Sequence, residues 1–272
     1  MQVNKDFLYK VKELNNDLEL KYYILTMGCQ LNENDSEKIA GMLNEMNYYE
    51  TDDMNSADII IFNTCCVREN AEQKLFGKVG EVKKIKEKKS VILAICGCMM
   101  QEQAMLDKIK QSYKYVDIIF GTHTLQQFPE DLYKCLINKE KVKDVIDIDG
   151  EVYEGLPIKR NNRFKASVTI MYGCDNFCTY CIVPYVRGRE RSREPEEILK
   201  EIKELAADGY KEITLLGQNV NSYKGNDVIK NFADLLEEVC KIDGIERVRF
   251  TSPHPKDFTD DVIETIANNP KI

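Results

Sequence analysis

Apolar residues in the first half of the chain follow two alternating spacings. Four short runs have the continuous apolar character of buried strands, and they lie in KYYILTMG, ADIIIFNT, VILAICG and VDIIFG. The segments between and after these runs place apolar residues at helical spacing, over 34–47, 68–88, 101–110 and 124–138. Alternating strands and helices predict a parallel sheet with helices on both faces. We therefore predict an α/β fold whose first domain, a doubly wound parallel sheet, covers 21–140, after a polar extension over 1–20 that can form a helix.

The second half repeats this alternation in a shorter form. Strands are predicted in ASVTIMYG, EITLLGQN and ERVRFTS, and helices from Pro195 to Gly209, over 228–240 and over 257–268. These make three βα units, whereas a (β/α) barrel has eight in about 250 residues. Three parallel strands alone would leave an open edge. We therefore expect 164–272 to be the first half of a partial barrel, C-terminally truncated, and 141–163 to be a linker.

Composition narrows the function classes. The chain has 272 residues, ten of them cysteine, and a formal net charge of −8. No apolar run approaches the roughly 20 residues that a membrane helix needs, and the N-terminal MQVNKDFLYK lacks the apolar stretch of a secretory signal. We therefore expect a cytoplasmic protein, in which cysteines serve metal or redox chemistry more often than disulfides. The acidic balance argues against a nucleic-acid partner, but residues 159–193 carry eight basic and two acidic residues, a local charge of +6.

The densest chemical signal is a C-x3-C-x2-C spacing formed by Cys174, Cys178 and Cys181. These cysteines directly follow a predicted strand, at the end where α/β folds place active sites. Three thiolates can hold three corners of a [4Fe–4S] cluster, whose usual set is four cysteines, so one iron would stay open to a substrate. A structural zinc site fits poorly because it needs four ligands, and no histidine lies near in the sequence.

A second cysteine set is dispersed along the first domain. Cys29, Cys65 and Cys98 each follow a predicted strand, so we expect all three at one edge of the sheet, where they form a second candidate [4Fe–4S] site. The alternative is that these cysteines are ordinary buried apolar residues, an interpretation that suits Cys135 and Cys240 in their helical patterns. Cys66 and Cys96 stay ambiguous because each neighbours a proposed ligand.

Both sets occur within a series of longer motifs, which are GCQLNENDSEKIAG, NTCCVREN, GCMMQ, YGCDNFCTYCIVPYVRGRERSR, LLGQNVNSY and RFTSPHP. These motifs resemble one family, the radical S-adenosylmethionine (SAM) tRNA methylthiotransferases. They extend over nearly the whole chain after residue 20, and they fit best the branch that acts on N6-isopentenyladenosine beside the anticodon. Branches that act on a ribosomal-protein side chain or on threonylcarbamoyladenosine tRNA stay open as alternatives, as does a non-catalytic iron–sulfur module.

The resemblance implies two [4Fe–4S] clusters and SAM as cofactors. The cluster in 164–272, an incomplete radical-SAM barrel, would generate a 5′-deoxyadenosyl radical from SAM. The auxiliary cluster in 21–140, the methylthiotransferase N-terminal domain, would carry the sulfur that is inserted at C2 of the adenine and methylated. Tyr180 matches the family position beside the SAM adenine, although a core aromatic is the plainer interpretation. Gly217, Gln218 and Asn219 lie where similar enzymes meet the SAM amino group, although a simple turn would explain them.

The same resemblance implies the partners. These are tRNA carrying N6-isopentenyladenosine and an electron donor such as flavodoxin or ferredoxin, with a monomeric enzyme and no membrane. The basic run RGRERSR is open to three interpretations: tRNA phosphate contact, a carboxylate clamp on SAM, or a solvated charged segment. His123 and His254 receive no role. Because the rest of the barrel and the C-terminal tRNA-binding β-domain of similar enzymes are missing, we expect this chain alone to be inactive.

Overall fold

The computed structural model describes residues 5–67, 69–145 and 152–272. The predicted helix start at Arg68, the first four residues of the N-terminal extension and the linker residues 146–151 lie outside the described residues. The chain divides into two compact units, Met1–Lys159 and Arg160–Ile272. None of the helices described for this chain is both long and apolar enough to cross a bilayer.

The first unit is built on a six-stranded, wholly parallel sheet. In chain order the strands are β1 (Leu20–Met27), β2 (Tyr48–Glu50), β3 (Ile59–Thr64), β4 (Ile92–Gly97), β5 (Ile118–Phe120) and β6 (Val142–Asp144). Their order in space is β2-β1-β3-β4-β5-β6, so the predicted doubly wound α/β architecture is confirmed. The edge strand β2 was not predicted, and β6 lies in the segment predicted as a linker, because a strand of three residues is too short to show a pattern.

Helices cover both faces of this sheet. They are α1 (Lys5–Leu14), α2 (Gln30–Glu45), α3 (Glu69–Lys86), α4 (Gln103–Ser112) and α5 (Phe128–Asn138). An apolar core lies on each face of the sheet, and strand β3 contributes side chains to both. Ile59 and Ile61 pack in one core, and Ile60 and Phe62 pack in the other. Successive strand residues point to opposite faces, so a strand that is buried on both faces is apolar at every position.

The N-terminal extension packs on the first unit. Leu8 and Val11 of α1 are 9% and 0% exposed, and both belong to the apolar cluster that α2 and α5 form with one face of the sheet. The burial of α1 explains why its apolar residues recur on one helical stripe within an otherwise polar segment.

The second unit contains a three-stranded parallel sheet. Its strands are β7 (Lys165–Thr169), β10 (Glu212–Leu216) and β11 (Arg247–Phe250), in the order β11-β10-β7. Two further strands, β8 (Met171–Tyr172) and β9 (Arg191–Ser192), form an antiparallel pair. β8 is the end of the predicted strand ASVTIMYG, whereas β9 and the pairing were not predicted. The helices are α6 (Val183–Arg187), α7 (Pro195–Ala207), α8 (Phe232–Cys240) and α9 (Asp260–Asn268).

Two helices of the second unit begin later in the chain than predicted. Helix α8 begins at Phe232 rather than at the predicted Val228, because the Asn231 side chain accepts a hydrogen bond from the backbone N–H of Asp234. Helix α9 begins at Asp260, after a short 3-10 turn over Pro255–Asp257 that occupies the predicted start. Both differences lie in the loops that carry the candidate site.

Candidate metal centres

The cysteine loop of the second unit is closed by the antiparallel pair of β8 and β9. Tyr172 pairs with Arg191, and the backbone N–H of Cys174 donates to the Gly188 carbonyl at 3.2 Å. Gly173 has φ +74°, and a Cβ there would lie 2.0 Å from the carbonyl oxygen of Arg189. Only glycine allows this approach of the two backbone segments. The loop that carries Cys174, Cys178 and Cys181 therefore leaves the sheet and returns to it through fixed backbone contacts.

The three thiols of this loop differ in their surroundings. Cys174 is 8% exposed, and its pKa is raised by burial, whereas Cys178 and Cys181 are half-buried. The backbone N–H of Cys181 donates to the Cys178 carbonyl at 2.9 Å, which holds the last two cysteines in one tight turn. Between the first two, Phe177 adopts a left-handed conformation with φ 45°. Non-glycine residues in this region cost free energy and cluster at functional sites.

Polar side chains from the loop after β10 reach the cysteine loop. The Gln218 side-chain oxygen accepts a hydrogen bond from the backbone N–H of Gly173 at 2.6 Å. The Asn219 amide donates to Asp257 at 2.7 Å, while its Oδ1 is buried and has no hydrogen-bond partner within the described structure. A buried acceptor of this kind is costly unless a ligand satisfies it. Gly217 packs against Met171, whose Cγ would lie 2.6 Å from an added Cβ.

The basic run after the cysteine loop is not a solvated segment. Arg187 and Arg193 are only 4% and 8% exposed. Arg193 donates to the Thr169 carbonyl and to Glu201, both at 2.8 Å, and Arg160 pairs with the same carboxylate. The run therefore ties the returning strand β9 to the sheet.

Two further side chains of this region differ from their sequence-based interpretation. Tyr180 is 95% exposed, so it is not a core aromatic. His254, which received no role, lies with its Nε2 atom 3.7 Å from Cys178 Sγ. Its only sequence signal is its position just after the third strand of the unit, on the same rim as the cysteine loop.

The other cysteine trio lies where three neighbouring strands of the first unit end. Strands β1, β3 and β4 are adjacent, with Met27 paired to Thr64 and Thr64 paired to Gly97. The residues that follow these strand ends include Cys29, Cys65 and Cys98. The structure therefore places all three at the carboxyl edge of the sheet, as the sequence analysis expected, while their role as ligands stays a prediction.

A network of buried amides fixes this edge. Asn32 donates to Asn63 at 3.0 Å and to the Thr64 carbonyl at 3.2 Å, and Asn63 donates back to the Asn32 carbonyl at 2.8 Å. The exposed Cys29 begins α2, and its thiol donates to Asn32 Oδ1 at 3.3 Å. The network therefore links the helix that carries Cys29 to the strand that ends beside Cys65. Cys65 and Cys98 are 3% and 5% exposed.

The structure separates the remaining cysteines into two kinds. Cys96 belongs to an apolar core cluster with Ile61 and Phe120, and burial raises the pKa values of Cys135, to about 11, and of Cys240. Cys66 differs, because its pKa is raised mainly by a hydrogen bond with the Cys98 side chain and secondly by burial. Cys66 is therefore a fourth thiol at the edge of the trio in the first unit.

Neither trio is a preassembled ligand set. Within the described ranges, no group of three or more His, Cys, Asp or Glu side chains is close enough to hold a metal ion. The donor chemistry nevertheless suits an iron–sulfur cluster, because cysteine thiolates are the usual ligands of such clusters. In the first unit each thiol follows a strand of the parallel sheet, whereas in the second unit the loop with the three thiols follows β8 of the antiparallel pair.

Two family profiles match separate parts of the chain. The sequence profile of the uncharacterized protein family UPF0004 matches residues 21–121, and the profile of the radical SAM superfamily matches residues 168–271. The tRNA-2-methylthio-N(6)-dimethylallyladenosine synthase of Acetivibrio thermocellus is 54% identical over 275 residues, covering 98% of this chain and 57% of the relative. The synthases of Clostridium botulinum and Clostridium perfringens are 55% and 56% identical over 267 and 262 residues. The chain spans 57% to 59% of the length of these relatives.

Solved structures share the fold at low identity. The radical SAM methyltransferase TsrM from Kitasatospora setae, with tryptophan and a SAM analogue bound, matches 90% of this chain with a TM-score of 0.55 and covers 57% of that chain. The cobalamin-dependent radical SAM enzyme OxsB matches 92% of this chain, and 42% of its own, with a TM-score of 0.57. Both are 13% identical to this chain, so the similarity shows a shared fold and nothing about function. On its motifs, its two matching profiles and its identity to curated relatives, the chain belongs to the radical SAM tRNA methylthiotransferase family, whose cofactors are [4Fe–4S] clusters and SAM.

Proposed function

We propose that this chain carries both cofactor sites of an enzyme that methylthiolates C2 of N6-isopentenyladenosine, next to the anticodon of tRNA. The observation that carries the proposal is that one cysteine trio follows strand ends in each unit, after β1, β3 and β4 in the first unit and after β7 and β8 in the second. The names of the curated relatives favour this substrate over a ribosomal-protein side chain or threonylcarbamoyladenosine. Both sites belong to a chain that covers only part of those relatives, so the reaction itself is a proposal about the whole protein.

The residues at each edge fit the two clusters. Cys174, Cys178 and Cys181 would hold the radical-generating cluster, and Cys29, Cys65 and Cys98 would hold the auxiliary cluster. When bound, these clusters and SAM supply the radical that removes hydrogen from an aromatic C–H with no acidic proton, the sulfur that replaces it and the methyl group on that sulfur. Each trio leaves one of the usual four cysteine positions open.

Side chains around the cysteine loop of the second unit fit SAM. The buried Oδ1 of Asn219 has no partner in the described structure and would accept a hydrogen bond from the SAM amino group. Gln218 is already engaged with the Gly173 backbone, so we assign it to positioning the loop, beside Gly217. The exposed ring of Tyr180 would pack against the adenine and shield the site from water.

The partners follow from the reaction. We propose tRNA bearing N6-isopentenyladenosine as substrate, a low-potential electron donor such as flavodoxin or ferredoxin, a monomeric enzyme and a cytoplasmic location. The basic run RGRERSR does not support broad phosphate contact, because most of its arginines are buried or half-buried. Its well-exposed arginine, Arg189, pairs with Asp175 at 3.0 Å.

Iron counting tests the two-site part of the proposal. After anaerobic reconstitution with iron and sulfide, we expect about eight irons per chain, and about four when either trio is replaced by serine. Cys240→Ser is the matched control, because this cysteine lies in the apolar core of the second unit, and it should leave the iron count unchanged. About four irons, lost only with the Cys174 trio, would contradict the auxiliary site and remove the sulfur-insertion part of the proposal.

Activity tests the reaction. In the full-length protein, Cys174→Ala should abolish formation of 5′-deoxyadenosine from SAM, because one ligand of the radical-generating cluster is lost. Expression of the full-length gene in a strain that lacks methylthiolated adenosine should restore the modification, and the Cys174→Ala variant should not. Modification by that variant at the wild-type level would refute the assignment.

A further inference from the structure

One side chain outside the cysteine trios points at a proposed cluster ligand. The Nε2 atom of His254 lies 3.7 Å from Cys178 Sγ, on the loop between β11 and the 3-10 turn Pro255–Asp257. This separation is within reach of an N–H···S hydrogen bond, since sulfur is larger than oxygen. Cys178 is half-buried, so the contact lies at the partly open side of the cysteine loop.

The hydrogen-bond network fixes which ring nitrogen carries the proton. His254 Nδ1 accepts a hydrogen bond from the backbone N–H of Lys256 at 3.2 Å. In a neutral imidazole one nitrogen accepts and the other donates, and the partner of one nitrogen decides the state of the other. Because Nδ1 accepts, the proton lies on Nε2, which therefore donates toward Cys178 Sγ.

The backbone of His254 is held on both sides by one buried side chain. Asn221, 8% exposed, accepts from the His254 N–H at 2.9 Å and donates to the His254 carbonyl at 3.3 Å. Asp257 of the same turn accepts from Asn219 at 2.7 Å. These contacts join the loops after β10 and β11, so the imidazole is positioned before any ligand binds.

We propose that His254 is a positioning residue that donates a hydrogen bond to the Cys178 thiolate when this cysteine ligates the radical-generating cluster, and that it raises the reduction potential of that cluster. This inference rests on the proposed function. Reduction adds negative charge to the cluster and its thiolates, so a donor aimed at a ligand sulfur stabilises the reduced state more than the oxidised state. The role concerns electron acceptance by the cluster and assigns no contact between His254 and substrate.

A redox titration with matched variants tests the proposal. The chain is reconstituted with the first trio replaced by serine, so that only the cluster of the second unit is present, and the reduced fraction is followed by electron paramagnetic resonance. His254→Leu removes the donor and should lower the ratio of reduced to oxidised cluster at a fixed potential roughly tenfold, which is a shift of about 59 mV for one electron. Lys256→Ala removes a nearby charge but keeps the backbone N–H that fixes the tautomer, and it should leave the ratio unchanged.

A second measurement keeps the proposal testable if the His254→Leu variant fails to assemble its cluster. It uses the chain with no substitution in the second unit. The chain contains two histidines, so ¹⁵N-histidine labelling of the chain with His123→Gln and with the first trio replaced by serine reports on His254 alone. Pulsed resonance of the reduced cluster should show a ¹⁵N coupling and an exchangeable proton coupling.

The outcomes of these measurements separate this inference from the proposed function. A lowered ratio in His254→Leu with an unchanged ratio in Lys256→Ala, or the ¹⁵N coupling, supports the inference. A ratio in His254→Leu equal to wild type, or equal shifts in both variants, overturns it and leaves the proposed function standing. Absence of the ¹⁵N coupling also overturns it. Failure of the second unit with intact cysteines to assemble any cluster would refute the proposed function itself.

Discussion

Replacing Gly97 should damage the first unit at the point where β4 leads into Cys98. Gly97 has φ 99° and ψ −172°, a backbone conformation that is open essentially only to glycine. An added Cβ would lie 2.3 Å from the Thr64 carbonyl oxygen and 2.7 Å from the Thr64 backbone nitrogen. Since these atoms belong to the neighbouring strand β3, they cannot move without disturbing the parallel ladder.

Two contributions set the expected magnitude of Gly97→Ala. A non-glycine residue in this region costs about 1–3 kcal/mol. The overlap with Thr64 must also be relieved by shifting β3 or β4, and overpacking of this kind costs about 1–3 kcal/mol. We therefore expect the free energy of unfolding of the first unit to fall by roughly 2–6 kcal/mol, a large part of the roughly 5–15 kcal/mol that stabilises a typical domain.

Gly77→Ala is the matched control for this substitution. Gly77 lies on the exposed side of α3 with nothing within 4 Å of an added Cβ, so alanine should stabilise the helix by about 0.5–1 kcal/mol. Urea unfolding followed by circular dichroism measures both variants, and iron counting after reconstitution reports on the Cys98 site. A Gly97→Ala protein within about 0.5 kcal/mol of wild type would refute the argument from backbone conformation.

Three further substitutions test other parts of the structure. Burial, and secondly the charge of Asp144, raise the pKa of Asp131 to about 7. The folded state therefore keeps a proton that the unfolded state loses, so the free energy of unfolding should fall as the pH rises from about 4 to about 7. Asp131→Asn should remove up to about 3–4 kcal/mol of that fall, measured by urea unfolding at a series of pH values. A variant whose stability changes with pH as wild type does would contradict this. Val11→Ala should cost about 1–3 kcal/mol in the same assay because Val11 is fully buried, whereas a neutral effect would show that α1 does not stabilise the unit. Glu201→Ala leaves two largely buried arginines without their shared carboxylate and should cost about 3–5 kcal/mol; thermal unfolding that matches wild type would count against the buried ion cluster.

The main elements could be predicted because they follow from local patterns. Runs such as Ile59–Phe62 are apolar on both sides, and a strand of that kind belongs inside a parallel sheet with helices on both faces. The short strands could not be predicted in the same way. β9 has two residues, too few for any periodicity. β8 lies within the predicted strand ASVTIMYG, but its antiparallel pairing with β9 forms only because the chain returns after the cysteine loop.

The basic run shows why composition alone misled the interpretation of charge. Its arginines read as a solvated or phosphate-binding segment, since charged residues are usually exposed. The structure instead buries Arg193 against Glu201 and the Thr169 carbonyl. The partner carboxylate lies on α7, and a sequence does not indicate which acid will meet which base across a fold.

The sequence by itself determined the strand–helix alternation and the close spacing of Cys174, Cys178 and Cys181, because apolar periodicity and short cysteine spacings are local properties. It also determined that Cys29, Cys65 and Cys98 share one edge, since parallel strands align their carboxyl ends. Only the tertiary structure decided which strands are neighbours, and it brought His254 to Cys178 across 76 positions of chain. Contacts of that kind depend on how loops that follow different strands pack against one another, and no local pattern of residues encodes that packing.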